Sequence, residues 1–167
     1  ISLGLVGSEM CIRDRVGAAS FGDLQIDVID PIKDYVDYLA TIFDFDLIKS
    51  FLSSGQFKVR FDALHGVTGP YARALLVERF GLPDDAVQNW VPKPDFGGGH
   101  PDPNLTYAKS LVDAMKSESL NFGAASDGDG DRNMILGKDA FVNPSDSVAI
   151  IADWAERAIP YLSLIHI

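Results

Sequence analysis

The chain contains little cysteine, few basic residues and no long apolar run. Its one cysteine, Cys11, lies near the N-terminus, so the remaining sequence cannot form an internal disulfide, which fits a reducing compartment such as the cytoplasm. No stretch approaches the roughly 18–20 consecutive apolar residues of a transmembrane helix, so we expect no membrane span. Against 24 Asp and Glu residues stand 14 Lys and Arg, giving a net charge of −10 over 167 residues. This acidity argues against nucleic acid or an anionic membrane as partner.

Strand and helix patterns alternate along residues 22–161. Period-two alternation predicts strands at 24–29, 58–63, 87–91, 122–125 and 133–136. Apolar spacing and capping residues predict helices that begin at or near residues 31, 46, 70, 105 and 144. This order predicts an α/β fold: a mixed, mostly parallel sheet with helices on both faces. Two finer expectations concern buried faces, which are predicted to include Val59, Phe61 and Ala63 in one strand, and Val148, Ile151, Ala152 and Ala155 in the last helix.

The heptapeptide Asp-Gly-Asp-Gly-Asp-Arg-Asn at 127–133 is the strongest functional signal. Asp127, Asp129 and Asp131 alternate, so an extended segment would place all three carboxylates on one side. They would repel each other unless a cation lay between them, and oxygen ligands favour Mg²⁺ over Ca²⁺ or Mn²⁺. Arg132 adds a permanent positive charge suited to phosphate oxygens. The pattern predicts a magnesium site beside a phosphate-binding residue, in preference to a solvated acidic turn.

Two other metal-loop families can be compared with the same residues. An EF-hand that began at Asp127 would need Gly at its sixth position and Glu at its twelfth, and the chain has Arg132 and Lys138 there. A haloacid-dehalogenase-like phosphatase also places Asp-x-Asp after an apolar strand. Asp131, two positions after the second Asp, is a poor match to the residue that this family usually has there. The EF-hand is therefore excluded, and the phosphatase remains an alternative.

Other polar residues give weaker signals. His65, in the His-Gly-Val-Thr-Gly stretch 65–69, precedes a predicted helix, where a structural turn is favoured over a phosphate cradle. His100 lies in a loop rich in Gly and Pro, and is a candidate for acid–base chemistry or a loop anchor. Lys93 and Lys138 are candidate phosphate contacts without a spacing argument. No nucleophile with a partnering base is evident.

The flanks of the metal loop resemble a known family. Residues 121–138 and 141–148 are similar to the metal-loop region of eukaryotic-type phosphoglucomutases, in the α-D-phosphohexomutase superfamily. Two upstream stretches agree with this: Phe-Asp-Ala-Leu-His-Gly-Val-Thr-Gly-Pro-Tyr at 61–71 and Asp-Phe-Gly-Gly-Gly-His-Pro-Asp-Pro-Asn-Leu at 95–105. Ser126 stands where the resemblance leads us to expect an aromatic residue, and Gly99 where it leads us to expect a second His.

The resemblance implies a parent enzyme that interconverts glucose 1-phosphate and glucose 6-phosphate through glucose 1,6-bisphosphate. Asp127, Asp129 and Asp131 would hold Mg²⁺, while Arg132 and Asp131 would contact the phosphorylated hexose. The matched part is the second of four domains, and the phosphoserine, sugar and distal phosphate loops of the others are absent from these residues. The chain is thus expected to be an inactive fragment, with no catalytic nucleophile, that works with the remaining domains of its parent. A free-standing metal- or phosphate-binding module without catalysis is the alternative.

The two ends fit no part of that family. Residues 1–15 and 162–167 resemble translated sequencing-adapter read-through. We therefore expect residues 1–21 to be artefactual or unstructured, residues 22–161 to form the metal-binding domain, and residues 162–167 to be an artefactual tail. A signal peptide is disfavoured at the N-terminus, because Gly4, Gly7 and Glu9 interrupt the apolar stretch.

Overall fold

Seven strands form a hairpin and a five-stranded sheet in a computed structural model that describes residues 16–159. The strands are β1 (Gly17–Phe21), β2 (Leu24–Val28), β3 (Val59–Asp62), β4 (Val87–Gln88), β5 (Phe122–Ser126), β6 (Asn133–Gly137) and β7 (Ala140–Val142). In the sheet the order is β4-β3-β5-β6-β7. β3 is parallel to β4 and β5, whereas the pairs β5–β6 and β6–β7 are antiparallel. The predicted mixed sheet is confirmed, but the expectation that it is mostly parallel is wrong, because two of its four pairings are antiparallel.

Five α-helices connect or follow these strands within residues 16–159. They are α1 (Pro31–Ile42), α2 (Phe45–Ser53), α3 (Gly69–Arg73), α4 (Lys109–Ser117) and α5 (Pro144–Ala158). Asp30, Asp44 and Asn143 cap α1, α2 and α5 by accepting hydrogen bonds from backbone N–H groups of the first turns. α3 continues into a π-helical turn, Ala74–Arg79, so the predicted helix from residue 70 is present in a modified form.

Helices cover both faces of the sheet, as predicted. On one face, Leu111 and Met115 of α4 pack in a buried cluster with Ala125, Met134 and Leu136 of β5 and β6. On the other face, Phe45 and Leu52 of α2 cluster with Phe80, and Val59 of β3 packs against them. The sheet is therefore a central layer, and its strand ends determine where the loops lie.

The predicted burial of β3 is wrong in part. Ala63 is buried as expected, but Val59 and Phe61 are only half-buried. The polar residues Arg60 and Asp62 are the buried ones, at 8% and 0% exposure. β3 lies between two neighbouring strands and has covered faces, so polar groups can be buried there because they have partners.

The inward face predicted for the last helix is also wrong. Val148 and Ile151 of α5 are 67% and 59% exposed, Ala152 is exposed, and Ala155 is half-buried. Amphipathic spacing predicts a helix, but burial also requires a neighbouring element on that side. Residues 16–159 do not place one over this face.

Three element boundaries differ from the predictions. The strand predicted at 87–91 ends at Gln88, because Asn89 turns the chain with φ 52°. The helix predicted from residue 105 begins at Lys109, because Asn104 Oδ1 accepts from the N–H groups of Thr106 and Tyr107 in a preceding turn. The short edge strand β7 was not predicted, since three residues give too little pattern.

The N-terminal boundary needs a similar correction. Residues 17–21, predicted to be artefactual or unstructured, form β1 and pair antiparallel with β2. Gly22, with φ +60°, supplies the tight turn between the two strands. The predictions for residues 1–15 and for the tail 162–167 lie outside the described residues. Within the described part, no helix is long and apolar enough to cross a membrane.

Candidate metal centre

The three aspartates of the heptapeptide converge in the loop that joins β5 to β6. One carboxylate oxygen from each of Asp127, Asp129 and Asp131 lies within 4.8 Å of the others. The loop is bent and not extended, so the convergence results from a turn and not from strand alternation. Gly130 makes that turn possible with φ +85°, a conformation that favours glycine. The predicted set of ligands is thus brought together by a different backbone geometry.

Asp127 is the structural centre of this loop. Its side chain is 2% exposed, and its Oδ1 accepts hydrogen bonds from the backbone N–H groups of Gly130 and Arg132, both at 3.0 Å. Its Oδ2 accepts from Arg132 Nε at 2.9 Å. Burial raises the pKa of Asp127, but these hydrogen bonds outweigh burial and lower the pKa from 3.8 to about 2. Asp127 is therefore ionised at neutral pH, as a metal ligand must be.

Asp129 and Asp131 are exposed, so the cluster opens to solvent on their side. The negative charges of Asp129 and Asp127 raise the pKa of Asp131 above its ordinary value. This repulsion is what a cation would relieve. Two oxygens on one Mg²⁺ lie at most about 4.2 Å apart, twice its ligand distance. Carboxylate oxygens suit a hard cation, but these three would have to move closer together to bind it, because adjacent ligands of an octahedral Mg²⁺ are only about 3 Å apart.

Arg132 lies against carboxylates at both ends of its guanidinium group. Besides its bond to Asp127, it donates from Nη1 to Asp102 Oδ1 at 3.2 Å. Its Nε also lies 3.8 Å from Asp131 Oδ1, and the side chain remains 62% exposed. These neighbours raise the pKa of Arg132 further, chiefly through the Asp127 hydrogen bond. The guanidinium is held beside the triad, with part of its surface open to an incoming anion.

Asp102 is a site residue that the sequence did not single out. It lies in the loop 95–105, but it is 30 residues from Arg132, and no spacing rule links the two. The resemblance of that stretch to the family was the one available signal. Asn104 Nδ2 donates to Asp102 Oδ2 at 2.8 Å and orients the carboxylate.

A turn that follows β3 lies directly behind the metal loop. Val67 N–H donates to Gly128 O at 3.0 Å. A Cβ atom on Gly66 would lie 2.8 Å from the carbonyl oxygens of both Asp127 and Gly128. The φ of Gly128 is not positive, but a Cβ there would lie 3.0 Å from the Phe96 ring. Gly66 is therefore packed against the backbone of the metal loop, and Gly128 against the Phe96 ring.

The family model for the phosphoglucomutase/phosphomannomutase alpha/beta/alpha domain II matches residues 33–140. The chain belongs to this family. The match contains the metal loop, the turn behind it and the 95–105 stretch, so the predicted resemblance is confirmed.

Named members of the family are similar to most of this chain. It is 62% identical over 146 residues to a phosphoglucomutase of Schizosaccharomyces pombe, covering 87% of this chain and 26% of that protein. It is 59% identical over 149 residues to phosphoglucomutase 1 of Saccharomyces cerevisiae, covering 86% of this chain and 26% of that protein. A chloroplastic phosphoglucomutase of Marchantia polymorpha is 57% identical over 148 residues, with coverages of 88% and 22%. The chain thus spans about a quarter of the length of these relatives.

Two solved structures support the fold. The open form of pp63/parafusin, a phosphoglucomutase from Paramecium, superposes with a TM-score of 0.76 at 43% identity, covering 83% of this chain and 27% of the other. A putative phosphomannomutase from Thermus thermophilus superposes with a TM-score of 0.64 at 22% identity, covering 78% and 30%. The second likeness concerns the fold alone.

The other candidate residues of this family member have structural contacts. His65 Nδ1 donates to Val91 O at 2.8 Å, and His65 O accepts from Lys93 N–H at 3.0 Å, so His65 links its turn to the next loop. His100 stacks on Tyr107, with ring centroids 4.2 Å apart, which agrees with the anchoring alternative for this residue. Lys93 and Lys138 are exposed, and the phosphate contacts suggested for them remain predictions.

Proposed function

We propose that the chain carries the divalent-cation loop of a phosphoglucomutase that interconverts glucose 1-phosphate and glucose 6-phosphate through glucose 1,6-bisphosphate. The observation that carries this proposal is the convergence of three aspartate oxygens within 4.8 Å. Family membership and the identity to named phosphoglucomutases support the reaction class. The family match also favours this function over that of a haloacid-dehalogenase-like phosphatase.

The residues divide into a cation-binding group and a phosphate-binding group. Asp127, Asp129 and Asp131 would hold Mg²⁺, with Asp127 ionised and fixed by its hydrogen bonds. When bound, the cation would withdraw charge from a phosphoryl group and stabilise the charge that develops during transfer. Arg132 would bind phosphate oxygens with its exposed N–H groups, and Asp131 would lie at the same opening.

We propose further that the described residues 16–159 belong to one domain of a longer cytoplasmic parent. The support is the coverage of about a quarter of the relatives and the absence of a phosphoserine loop from this sequence. The nucleophile, the sugar contacts and the second phosphate clamp would then come from the remaining domains. A longer transcript with a phosphoserine motif upstream supports this arrangement, whereas a start codon near residue 21 supports the free-standing module.

Metal titration tests the site on the chain itself. Mn²⁺ suits the same oxygen ligands, and its free aquo ion is counted directly by electron paramagnetic resonance. Asp129→Ala should greatly weaken Mn²⁺ binding, because it removes one of three charged ligands. Asp153→Ala removes the same charge from exposed α5 and serves as the control. Equal Mn²⁺ affinity in the wild type and Asp129→Ala would exclude the loop as the metal site.

A further inference from the structure

Asp62, at the end of β3, is a fully buried carboxylate with neutral partners. Its exposure is 0%. Its Oδ1 accepts from Leu64 N–H at 2.9 Å and from Asn89 Nδ2 at 2.8 Å. Its Oδ2 accepts from Gln88 Nε2 at 2.7 Å and from Ser110 Oγ at 3.3 Å. A buried charge is costly unless hydrogen bonds satisfy it, so the position of this group is closely determined.

The Asp62 side chain fixes an unusual turn. Leu64 and His65 have φ angles of 48° and 58°, in the left-handed region that residues with a Cβ rarely adopt. A residue in this conformation is strained and persists only where its surroundings hold it. The bond from Leu64 N–H to Asp62 holds the first of these residues. Asn89, whose side chain donates to Asp62 Oδ1, accepts from His65 N–H through its backbone carbonyl oxygen at 3.0 Å.

This turn is also the surface against which the metal loop rests. Gly66 follows the two left-handed residues and leaves room for the carbonyl groups of Asp127 and Gly128. Val67 then donates to Gly128 O. Thr68 Oγ1 lies 2.5 Å from the Oγ of Ser126, the residue before the first predicted ligand. The methyl group of Thr68 lies 2.6 Å from the place where a Cβ on Gly130 would be. The turn therefore contacts the metal loop at its start and in its middle.

We propose that Asp62 is a positioning residue for the metal centre, acting through the turn 64–68. Asp62 is not part of the ligand cluster. Its carboxylate determines the turn, and the turn determines where Asp127 and the Gly130 bend lie relative to the sheet. The proposal rests on the proposed function of the aspartate triad as a metal site.

The test compares Mn²⁺ affinity and stability in variants of the full chain. Loss of an outer-shell group lowers metal affinity by about 10–100-fold in proteins. Because Asp62 acts through one further step, we expect Asp62→Ala to weaken Mn²⁺ binding by about tenfold while the chain still folds by circular dichroism. Asp62→Asn, which keeps one oxygen for Leu64 N–H, should recover part of that loss.

The control is Asn121→Ala. Asn121 Oδ1 accepts from Lys58 N–H at 2.8 Å, beside the start of β5 and so at the opposite end of that strand from the metal loop. This variant should lower the melting temperature without changing Mn²⁺ affinity. Unchanged affinity in folded Asp62→Ala overturns the proposal, and so does an equal loss of affinity in Asn121→Ala.

A second variant keeps the test decisive if Asp62→Ala does not fold. Gly66→Ala leaves Asp62 intact but forces a Cβ into the backbone of Asp127 and Gly128. It should also weaken Mn²⁺ binding by about tenfold, and unchanged affinity in the folded variant contradicts the proposal. Asp129→Ala separates the two hypotheses. If Asp129→Ala binds Mn²⁺ as tightly as the wild type, the proposed metal site is wrong. If Asp129→Ala loses Mn²⁺ binding and Asp62→Ala does not, only the positioning role of Asp62 is rejected.

Discussion

Arg132 and Asp102 are 30 residues apart in the sequence, yet the Arg132 guanidinium donates from Nη1 to Asp102 Oδ1 at 3.2 Å. Its Nε donates to Asp127 in the same conformation. One planar side chain therefore connects the 95–105 loop with the metal loop. A lysine has one nitrogen at the end of its side chain and cannot make both contacts in the same way.

Arg132→Lys, in a full-length parent enzyme, should impair turnover more than metal binding. We expect kcat/KM to fall roughly 10–100-fold, because lysine loses the planar group that holds Asp127 and that, in the proposed function, would orient phosphate. Mg²⁺ affinity should change little, since the charge and all three aspartates remain. Steady-state kinetics and Mg²⁺ titration on the same preparation check this, with Lys116→Arg on exposed α4 as the control. Unchanged kinetics would show that Arg132 is only a surface counter-charge.

Stability should depend on Asp127 at low pH. Its pKa is about 2 in the folded chain, below the ordinary 3.8, so its stabilising effect is fully present above about pH 4 and is lost as the pH falls towards 2. The contribution is at most about 2 kcal/mol of unfolding free energy. Urea unfolding between pH 5 and pH 2 measures it.

The comparison variant for this pH effect is Asp127→Asn, which cannot ionise. Its unfolding free energy should be lower at neutral pH and should fall less steeply below pH 4. Asp131 affects the unfolding free energy in the opposite direction, because Asp129 and Asp127 raise its pKa. Its charged form lowers stability above that pKa, and protonation removes the repulsion. Parallel pH slopes for the wild type and Asp127→Asn would contradict the role of Asp127.

Local patterns were sufficient for much of the fold and for the grouping of three aspartates in one loop. The capping residue Asp30 followed by Pro31 predicts the start of α1, and the structure confirms it. Asp127, Asp129 and Asp131 were predicted from residue type and spacing, and their oxygens do converge. Both kinds of signal lie within a few residues of each other, where backbone geometry limits the possible arrangements.

Contacts between distant segments could not be predicted in the same way. Asp62 alternates with half-buried apolar residues in β3, which is the pattern of a solvent-facing position. Its burial depends on Gln88 and Asn89, 26 and 27 residues away. The last helix shows the opposite error. The spacing of apolar residues in α5 predicted a buried face, but spacing does not indicate whether any described element covers that face.

Gly69→Ala should be strongly destabilising. A Cβ at this position would lie 1.9 Å from the backbone carbonyl oxygen of Trp90, and backbone atoms cannot move aside as a flexible side chain can. Overpacking of this kind costs about 1–3 kcal/mol and occasionally more, so we expect a loss near the upper end, measured by urea unfolding.

Gly137→Ala is the matched control for Gly69→Ala. Its Cβ would lie 3.5 Å from the Ala140 Cβ, an ordinary contact between the paired strands β6 and β7, and the change should alter the unfolding free energy by less than about 1 kcal/mol. Similar losses for the two variants would mean that general glycine effects, and not the approach of Trp90, determine stability here.

The chain alone should show no mutase activity at any concentration of glucose 1-phosphate, Mg²⁺ or bisphosphate activator. Phosphoryl transfer requires a nucleophile, a cation and a positioned substrate together, and positioning alone is worth about 7–11 kcal/mol of the barrier. The proposed function assigns the cation site and one phosphate contact to residues 127–132, and the other parts to further domains. A coupled assay for glucose 6-phosphate on the purified chain measures this, with Asp127, Asp129 and Asp131 all changed to Ala as the control. Turnover above that control would contradict the one-domain proposal, because it would require a nucleophile within these 167 residues.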